Sequence, residues 1–319
     1  MKDNTPIAVA SRSFSTHPVL REELLSRYSN VKFNETGRTL AGQELVSFLK
    51  GRIKVITGLE ILNDAVLSEL PELKVVGKYG VGLDMLDLAA IERRGILLGW
   101  TGGVNKRSVT ELTISSMISL LHRVPLACRE VLSGKWIQVK GRQLTGKVVG
   151  IIGCGHVGKD VALLLRALDC KVLSYDISVF SEFYAEHQII PVALEFLLSQ
   201  SDLVTLHLPL NSSTRNILNA ERLALMKPGS YLINAARGGL VDEVGLKAAL
   251  KSGQLAGAAL DVFQTEPPSD LELLNLPNVI VTPHIGGSTE EAILAMGRAA
   301  IDGLDHAFEI GHVVPVYLR

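Results

Sequence analysis

Residues 147–158 read KVVGIIGCGHVG. An apolar run, Val148 to Ile152, leads into Gly153, Gly155 and Gly158 at G-x-G-x-x-G spacing. A helix-like stretch, Lys159 to Leu168, follows. Each glycine answers a different demand. Gly153 permits a tight turn, Gly155 lets a pyrophosphate approach the backbone, and Gly158 lets the helix pack closely on the strand. A helix start adds N–H groups and partial positive charge for the anion. The spacing alone is weak, and its context strengthens it. The next apolar run, Lys171 to Tyr175, ends at Asp176, 18 residues past Gly158. A carboxylate there accepts hydrogen bonds from ribose hydroxyls and repels a 2′-phosphate. No Arg follows Asp176 closely, so the expected cofactor is NAD. The same residues also fit G-x-x-x-x-G-K through Lys159. Asp160, however, stands where a triphosphate-binding loop needs the Ser or Thr that holds Mg2+.

Working outward, the strand candidates of this half are Val148 to Ile152, Lys171 to Tyr175, Leu203 to Leu206, Ser230 to Ile233, Gly257 to Asp261 and Val279 to Val281. Six strands suit a complete Rossmann NAD-binding sheet. The first hundred residues form a second series, with runs at Ile7 to Ala10, Lys54 to Thr57, Lys74 to Val76 and Ile96 to Leu98. Amphipathic segments lie between them, around Leu20 to Arg27, Gly42 to Leu49, Ala65 to Leu70 and Leu86 to Arg93. Such alternation implies parallel sheets with helices on both faces. The expected class is α/β: a Rossmann NAD-binding domain plus a flavodoxin-like substrate domain. Ser108 to Arg123 reads as a helix joining the two parts, and Thr289 to Ala307 as a helix returning to the first. The division is then discontinuous, with 1–101 and 288–319 in the substrate domain and 102–287 in the NAD-binding domain.

Composition removes several function classes. The chain has 319 residues, 47% hydrophobic and 20% charged, enough for a large core. Lys plus Arg is 32 against 33 Asp plus Glu, which lacks the basic footprint of a general nucleic-acid binder. No apolar run approaches the roughly 20 residues of a membrane span. Met1 to Pro6 is polar and without the apolar core of a signal peptide, so the expected compartment is the cytoplasm. Cys128, Cys154 and Cys170 are odd in number and lack metal-ligand spacing, so neither a disulfide framework nor a metal site is expected.

Three reactive side chains follow strand candidates: Arg237 after YLINAA, Glu266 after ALDVFQT and His284 after VIVTP. Open parallel sheets bind ligands outside the carboxyl ends of their strands, so the three would meet at one edge. An Arg fork suits a carboxylate. A His is the usual general acid or base near neutral pH. A carboxylate beside the His fixes its tautomer and keeps a proton ready. With NAD, the set points to hydride transfer to the carbonyl of a 2-oxo acid. Singly, each residue has a plainer reading, as a salt-bridge Arg, a turn Glu or a structural His. His207, within apolar VTLHLP, serves as the contrast and reads as structural.

These motifs resemble the NAD-dependent, D-isomer-specific 2-hydroxyacid dehydrogenase family. The resemblance is carried by KYGVGLDMLD at 78–87, NKRSVTE at 105–111, GCGHVG at 153–158, INAARGGLVDE at 233–243, LDVFQTEPP at 260–268 and TPHIGGST at 282–289. It implies that Arg237, Glu266 and His284 form the catalytic set. It also implies that His156 and Val157 lie against the pyrophosphate, and that Ala235, Asp261 and Gly287 lie on the nicotinamide side. Lys78, Val81 and Gly82 then face the substrate carboxylate. The family's usual homodimer would place the helix after NKRSVTE at the interface. The nearest branch is phosphoglycerate dehydrogenase-like, with glyoxylate or hydroxypyruvate reductase as an alternative. A non-enzymatic NADH-sensing scaffold, resembling the C-terminal-binding-protein corepressors, is a further one. Formate dehydrogenases, also similar, usually carry Gln where Glu266 stands. The departures lie on the substrate side. Met85 replaces the usual Asn, Trp100 and Gly102–Gly103 replace Thr-Pro-Gly, and TGLE at 57–60 replaces an Arg-Ser pair. They suggest a changed substrate.

Overall fold

A computed structural model describes residues 2–315, and every count below refers to those residues. The chain divides into two compact units, Met1–Asn105 with Glu290–Arg319, and Lys106–Thr289. The divisions fall a few residues later than the expected 101/102 and 287/288. Residues 316–319 of the expected substrate domain lie outside the described residues.

The first unit is built on five parallel strands: β1 (Ile7–Val9), β2 (Val31–Phe33), β3 (Lys54–Thr57), β4 (Val75–Lys78) and β5 (Leu97–Gly99). Their order is β2-β1-β3-β4-β5, the flavodoxin-like arrangement. Parallel strands covered on both faces need apolar residues on both, and Ile7, Ala8 and Val9 are all fully buried. One face carries Leu45, Leu49, Leu67 and Ile91 from the helices Gly42–Leu49, Asp64–Ser68 and Leu88–Arg93. The other carries Leu20, Leu24, Ile301 and Leu304 from Pro18–Arg27 and Glu290–Asp305. Short polar side chains start these helices. Asn63 Oδ1 accepts from Val66 N at 3.0 Å, and Asp87 Oδ1 from Ala90 N at 2.9 Å. Strand β2 and the short helix Arg12–Thr16 are absent from the sequence reading. β2 is a three-residue edge strand, half-buried throughout, with too little pattern to detect.

The second unit holds seven parallel strands: β6 (Val148–Ile152), β7 (Lys171–Tyr175), β8 (Ile190–Pro191), β9 (Leu203–Leu206), β10 (Ser230–Asn234), β11 (Leu255–Leu260) and β12 (Val279–Val281). Their order is β12-β11-β10-β9-β6-β7-β8. Counted from β6, this is the Rossmann order with one strand added at the far edge. That added strand is β12; the six strands expected from the sequence are all present, and β8, third in the Rossmann order, is the one the sequence does not reveal. It has two exposed residues, one of them Pro191, and pairs only through Leu173 and Ser174. β6 lies between β7 and β9, where the strand order reverses. Ligands bind at such a switch point. The helix Lys106–Leu121 opens this unit and buries Val109, Met117, Leu120 and Leu121. It packs on the helix His156–Ala167 and on β10 and β11.

Glycine lets Glu290–Asp305 lie directly on its sheet. A Cβ on Gly99 would sit 2.2 Å from the carbonyl oxygen of Gly303, and one on Gly303 would sit 2.7 Å from Gly99 Cα. Neither backbone can give way to admit a methyl. Gly99→Ala should therefore destabilise the protein by about 1–3 kcal/mol. A urea midpoint equal to that of the parent would refute this.

Candidate active site

The glycine turn after β6 has the geometry its spacing implies. Gly153 adopts φ +95°, and a Cβ there would come within 2.5 Å of the His207 carbonyl oxygen. A Cβ on Gly158 would lie 2.0 Å from the Gly153 carbonyl oxygen, so helix and strand touch backbone to backbone. At Gly155 nothing lies within 4 Å of the Cβ position. The backbone there is open for a ligand to approach. The helix His156–Ala167 begins at this point with no side-chain cap bond. Its N-terminal N–H groups face the position an anion would take. Asp176, after β7, is anchored by two backbone donors, Cys154 N to Oδ2 at 2.6 Å and Ser178 N to Oδ1 at 2.8 Å. The residues present thus fit a dinucleotide, with an open glycine, an uncapped helix start and a fixed carboxylate. His156 is exposed at the start of the helix and Val157 is half-buried. Desolvation, then the charges of Lys106 and Lys159, hold His156 below the usual histidine range. Asp160 has a different use from the hydroxyl of a triphosphate loop. It is buried, and its Oδ1 accepts from Arg107 Nη2 at 2.8 Å, tying two helices together.

The loops after β10, β11 and β12 carry Arg237, Glu266 and His284. Asn234 ends β10 fully buried. Its Oδ1 accepts from Ala236 N at 3.1 Å and its Nδ2 donates to Arg237 O at 2.9 Å, which folds the Ala235–Arg237 turn. Arg237 Nη1 donates to Ala236 O at 2.7 Å. A Cβ on Gly238 would lie 1.8 Å from Phe263 O, so this turn abuts the loop after β11. In that loop Glu266 Oε1 accepts from Phe263 N at 3.1 Å. Glu266 Oε2 lies 2.8 Å from His284 Nδ1. A carboxylate can only accept, so Nδ1 carries the hydrogen and Nε2 is left for other chemistry.

Asp261 fixes the His284 loop. Its buried carboxylate accepts three hydrogen bonds, from Thr282 Oγ1 at 2.6 Å, Ile285 N at 2.8 Å and Gly286 N at 2.8 Å. Its main-chain oxygen accepts from His284 N at 2.9 Å. Ser108 Oγ, from the helix Lys106–Leu121, donates to Gly286 O at 2.6 Å. Between these ties His284 adopts φ +55°, a left-handed conformation that a non-glycine residue holds only when its surroundings impose it. Gly287, half-buried, follows.

The structure therefore joins Glu266 to His284 directly and sets Arg237 on the neighbouring loop. It engages Asp261 with protein donors. His207 lies 3.0 Å through Nε2 from Thr205 Oγ1, and burial pushes its pKa down to about 3, so its ring stays neutral. In the first unit Lys78 is buried, with Nζ donating to Gly58 O at 2.6 Å and Tyr79 O at 3.2 Å. Val81 and Gly82 follow half-buried, and Val81 O accepts from Trp100 Nε1 at 3.0 Å. Asn234 and Ser108 escaped the sequence reading. The only mark of Asn234 is a lone amide closing an apolar strand, and Ser108 gives no sign before its distant partner is known.

Residues 114–286 match the family model described as D-isomer specific 2-hydroxyacid dehydrogenase, NAD binding domain. The chain belongs to the D-isomer specific 2-hydroxyacid dehydrogenases. Curated relatives include the D-3-phosphoglycerate dehydrogenase of Methanocaldococcus jannaschii, 37% identical over 284 residues, 87% of this chain and 54% of that one. The Homo sapiens protein of the same name is 42% identical over 80% of this chain and 48% of its own length. The chain spans about half the length of the curated relatives it matches. Among solved structures, a glyoxylate reductase from Paecilomyes thermophila superposes with TM-score 0.85 at 27% identity, covering 96% of this chain and 95% of that one. A D-lactate dehydrogenase from Aquifex aeolicus, complexed with NAD and lactic acid, gives TM-score 0.84 at 28% identity over 94% of both chains. The dinucleotide cofactor of this member of the family is NAD.

The last two glycines of the turn after β6 should respond differently to substitution. Gly155→Val has room to fold but fills the approach to the backbone, so NADH affinity should fall by about tenfold or more with little loss of stability. Gly158→Ala should instead lower stability by about 1–3 kcal/mol. Titrating NADH fluorescence alongside urea denaturation separates the two, and a Gly155→Val variant that binds NADH normally would contradict the assignment.

Proposed function

We propose that this chain interconverts a D-2-hydroxy acid and its 2-oxo acid with NAD. The observation that carries the proposal is the Glu266–His284 pair, 2.8 Å apart at the carboxyl edge of the NAD-binding sheet. NAD supplies or accepts the hydride at C2 of the acid. The Arg237 guanidinium holds the acid's carboxylate, and a permanently charged fork suits that task. His284 Nε2 delivers the proton to the carbonyl oxygen during reduction and removes it from the hydroxyl during oxidation. Glu266 orients the ring and balances its charge when protonated. The backbone of Gly153, Gly155, His156, Val157 and Gly158 takes the pyrophosphate, and Asp176 the ribose. Ala235 and Gly287 border the nicotinamide. Asp261 lies on that side too, and through the loop it ties down it positions His284. Backbone N–H groups at Val81 and Gly82 are proposed to bind the acid's carboxylate as an anion nest.

We further propose a homodimer. The expected interface helix, Lys106–Leu121, spends its apolar side inside its own unit. The segment after it does not. The helix Val124–Leu132 buries no residue, and Leu132 is 87% and Trp136 86% exposed, with Val131 and Ile137 also open. An apolar arm of this kind suits burial against a second copy. The doubly substituted Leu132→Asp, Trp136→Asp chain should sediment as a monomer while the parent sediments as a dimer. A monomeric parent would refute the arm's role.

His284→Ala should cut turnover by roughly a hundredfold or more and leave NADH affinity nearly unchanged. Stopped-flow reduction of a panel of 2-oxo acids is the direct test, and parental turnover in the variant would exclude His284 as the acid–base group.

A further inference from the structure

The first unit contains two buried ionisable side chains, Glu60 and Lys78, at the ends of neighbouring strands. β3 ends at Thr57 and β4 at Lys78, and these residues are direct partners in the sheet. Glu60, three residues past Thr57, is 1% exposed, and Lys78 is 4% exposed. Both side chains bond to one residue, Gly58. Gly58 N donates to Glu60 Oε2 at 2.7 Å, and Gly58 O accepts from Lys78 Nζ at 2.6 Å. Thr57 Oγ1 also donates to Glu60 Oε2, at 3.1 Å. Turning Glu60 inward turns its neighbours outward, and Leu59 is 60% and Ile61 56% exposed.

This lies at the carboxyl ends of the strands, where an open parallel sheet takes its ligand. A substrate ending in a phosphate monoester needs uncompensated cations there. The loops that follow β3 and β4 (residues 58–63 and 79–87) carry the acids Glu60, Asp84 and Asp87, and no Lys or Arg. Lys78, the last residue of β4, donates to two backbone carbonyls, one of them that of Gly58, whose N–H donates to Glu60. Arg12, exposed after β1, is the one cation that remains near the ends of the central strands among the described residues. The outward surface of the 58–61 loop is apolar.

We infer that Glu60 is a specificity-determining residue: it neutralises Lys78 and presents Leu59 and Ile61, so that the preferred acid ends in an uncharged, apolar group and not in phosphate. The inference rests on the dehydrogenase reading and narrows its substrate. It sets this chain apart from the phosphoglycerate relatives it otherwise resembles in sequence.

The test is NADH oxidation with three acids: phosphohydroxypyruvate, hydroxypyruvate and 4-methyl-2-oxopentanoate. For the parent, kcat/KM for each acid with an uncharged tail should exceed that for phosphohydroxypyruvate by at least about tenfold. Leu59→Arg, on the exposed side of the loop, should move that ratio toward phosphohydroxypyruvate by about tenfold without altering NADH affinity. Glu60→Gln, which frees the Lys78 charge, should move it the same way. A parent that prefers phosphohydroxypyruvate overturns the inference. If Arg12→Ala abolishes that preference, the anion site belongs to the β1 loop. A ratio unmoved by both Leu59→Arg and Glu60→Gln overturns it as well. Turnover of none of the three acids, with NADH still bound, defeats the dehydrogenase reading and the inference together. A phosphate preference leaves the dehydrogenase reading standing.

Discussion

The Asp261 carboxylate is the tie on which the site depends. A buried ionised group is tolerated only when its oxygens are satisfied, and here three donors from one loop satisfy them. The same bonds fix the course of the chain from Thr282 to Gly286. They hold His284 in a left-handed conformation and bring its Nδ1 to Glu266. Remove the carboxylate, and the loop loses the constraint that makes its backbone angles affordable. Ser108 adds a second anchor from the helix that opens the unit. The geometry of the Glu266–His284 pair is thus set by groups that touch neither ring nor carboxylate of the pair.

Close backbone contact recurs as a theme. Gly158 against Gly153, Gly238 against Phe263 and Gly99 against Gly303 are all approaches that a single methyl would forbid. Two of the three sit in the glycine turn after β6 or between the loops after β10 and β11. They let main-chain donors and reactive side chains converge in a small space. A larger side chain at any of them would displace an element and not merely fill a gap.

Much of this was legible in the sequence because it is local. The glycine turn, the strand ending at Asp176 and the residues after three apolar runs are read within short windows, and the structure puts Glu266 and His284 together. The parts that escaped are those fixed by distant partners or by very little chain. β2 and β8 are edge strands of three and two residues. Asn234 gains its meaning from the turn it folds. The sequence marked Glu60 only as a departure from a pattern, since its burial and its bonds to Gly58 and Thr57 depend on how the loop turns. Trp136 and Leu132 are ordinary apolar residues until their exposure is seen.

The path of the chain through the two units has a consequence for synthesis. Residues 106–289 are contiguous, so the second unit is complete in sequence as soon as they emerge. The first unit is not. Its five strands are made early, but Ala300, Ile301 and Leu304, which cover one face of them, come from the end of the chain. Until then Ile56 and Val75 on that face lack part of their cover. On the ribosome, the half that is made first is therefore the half that finishes last, with an apolar sheet face exposed in the interval. The later half can close around its own core while the earlier one waits.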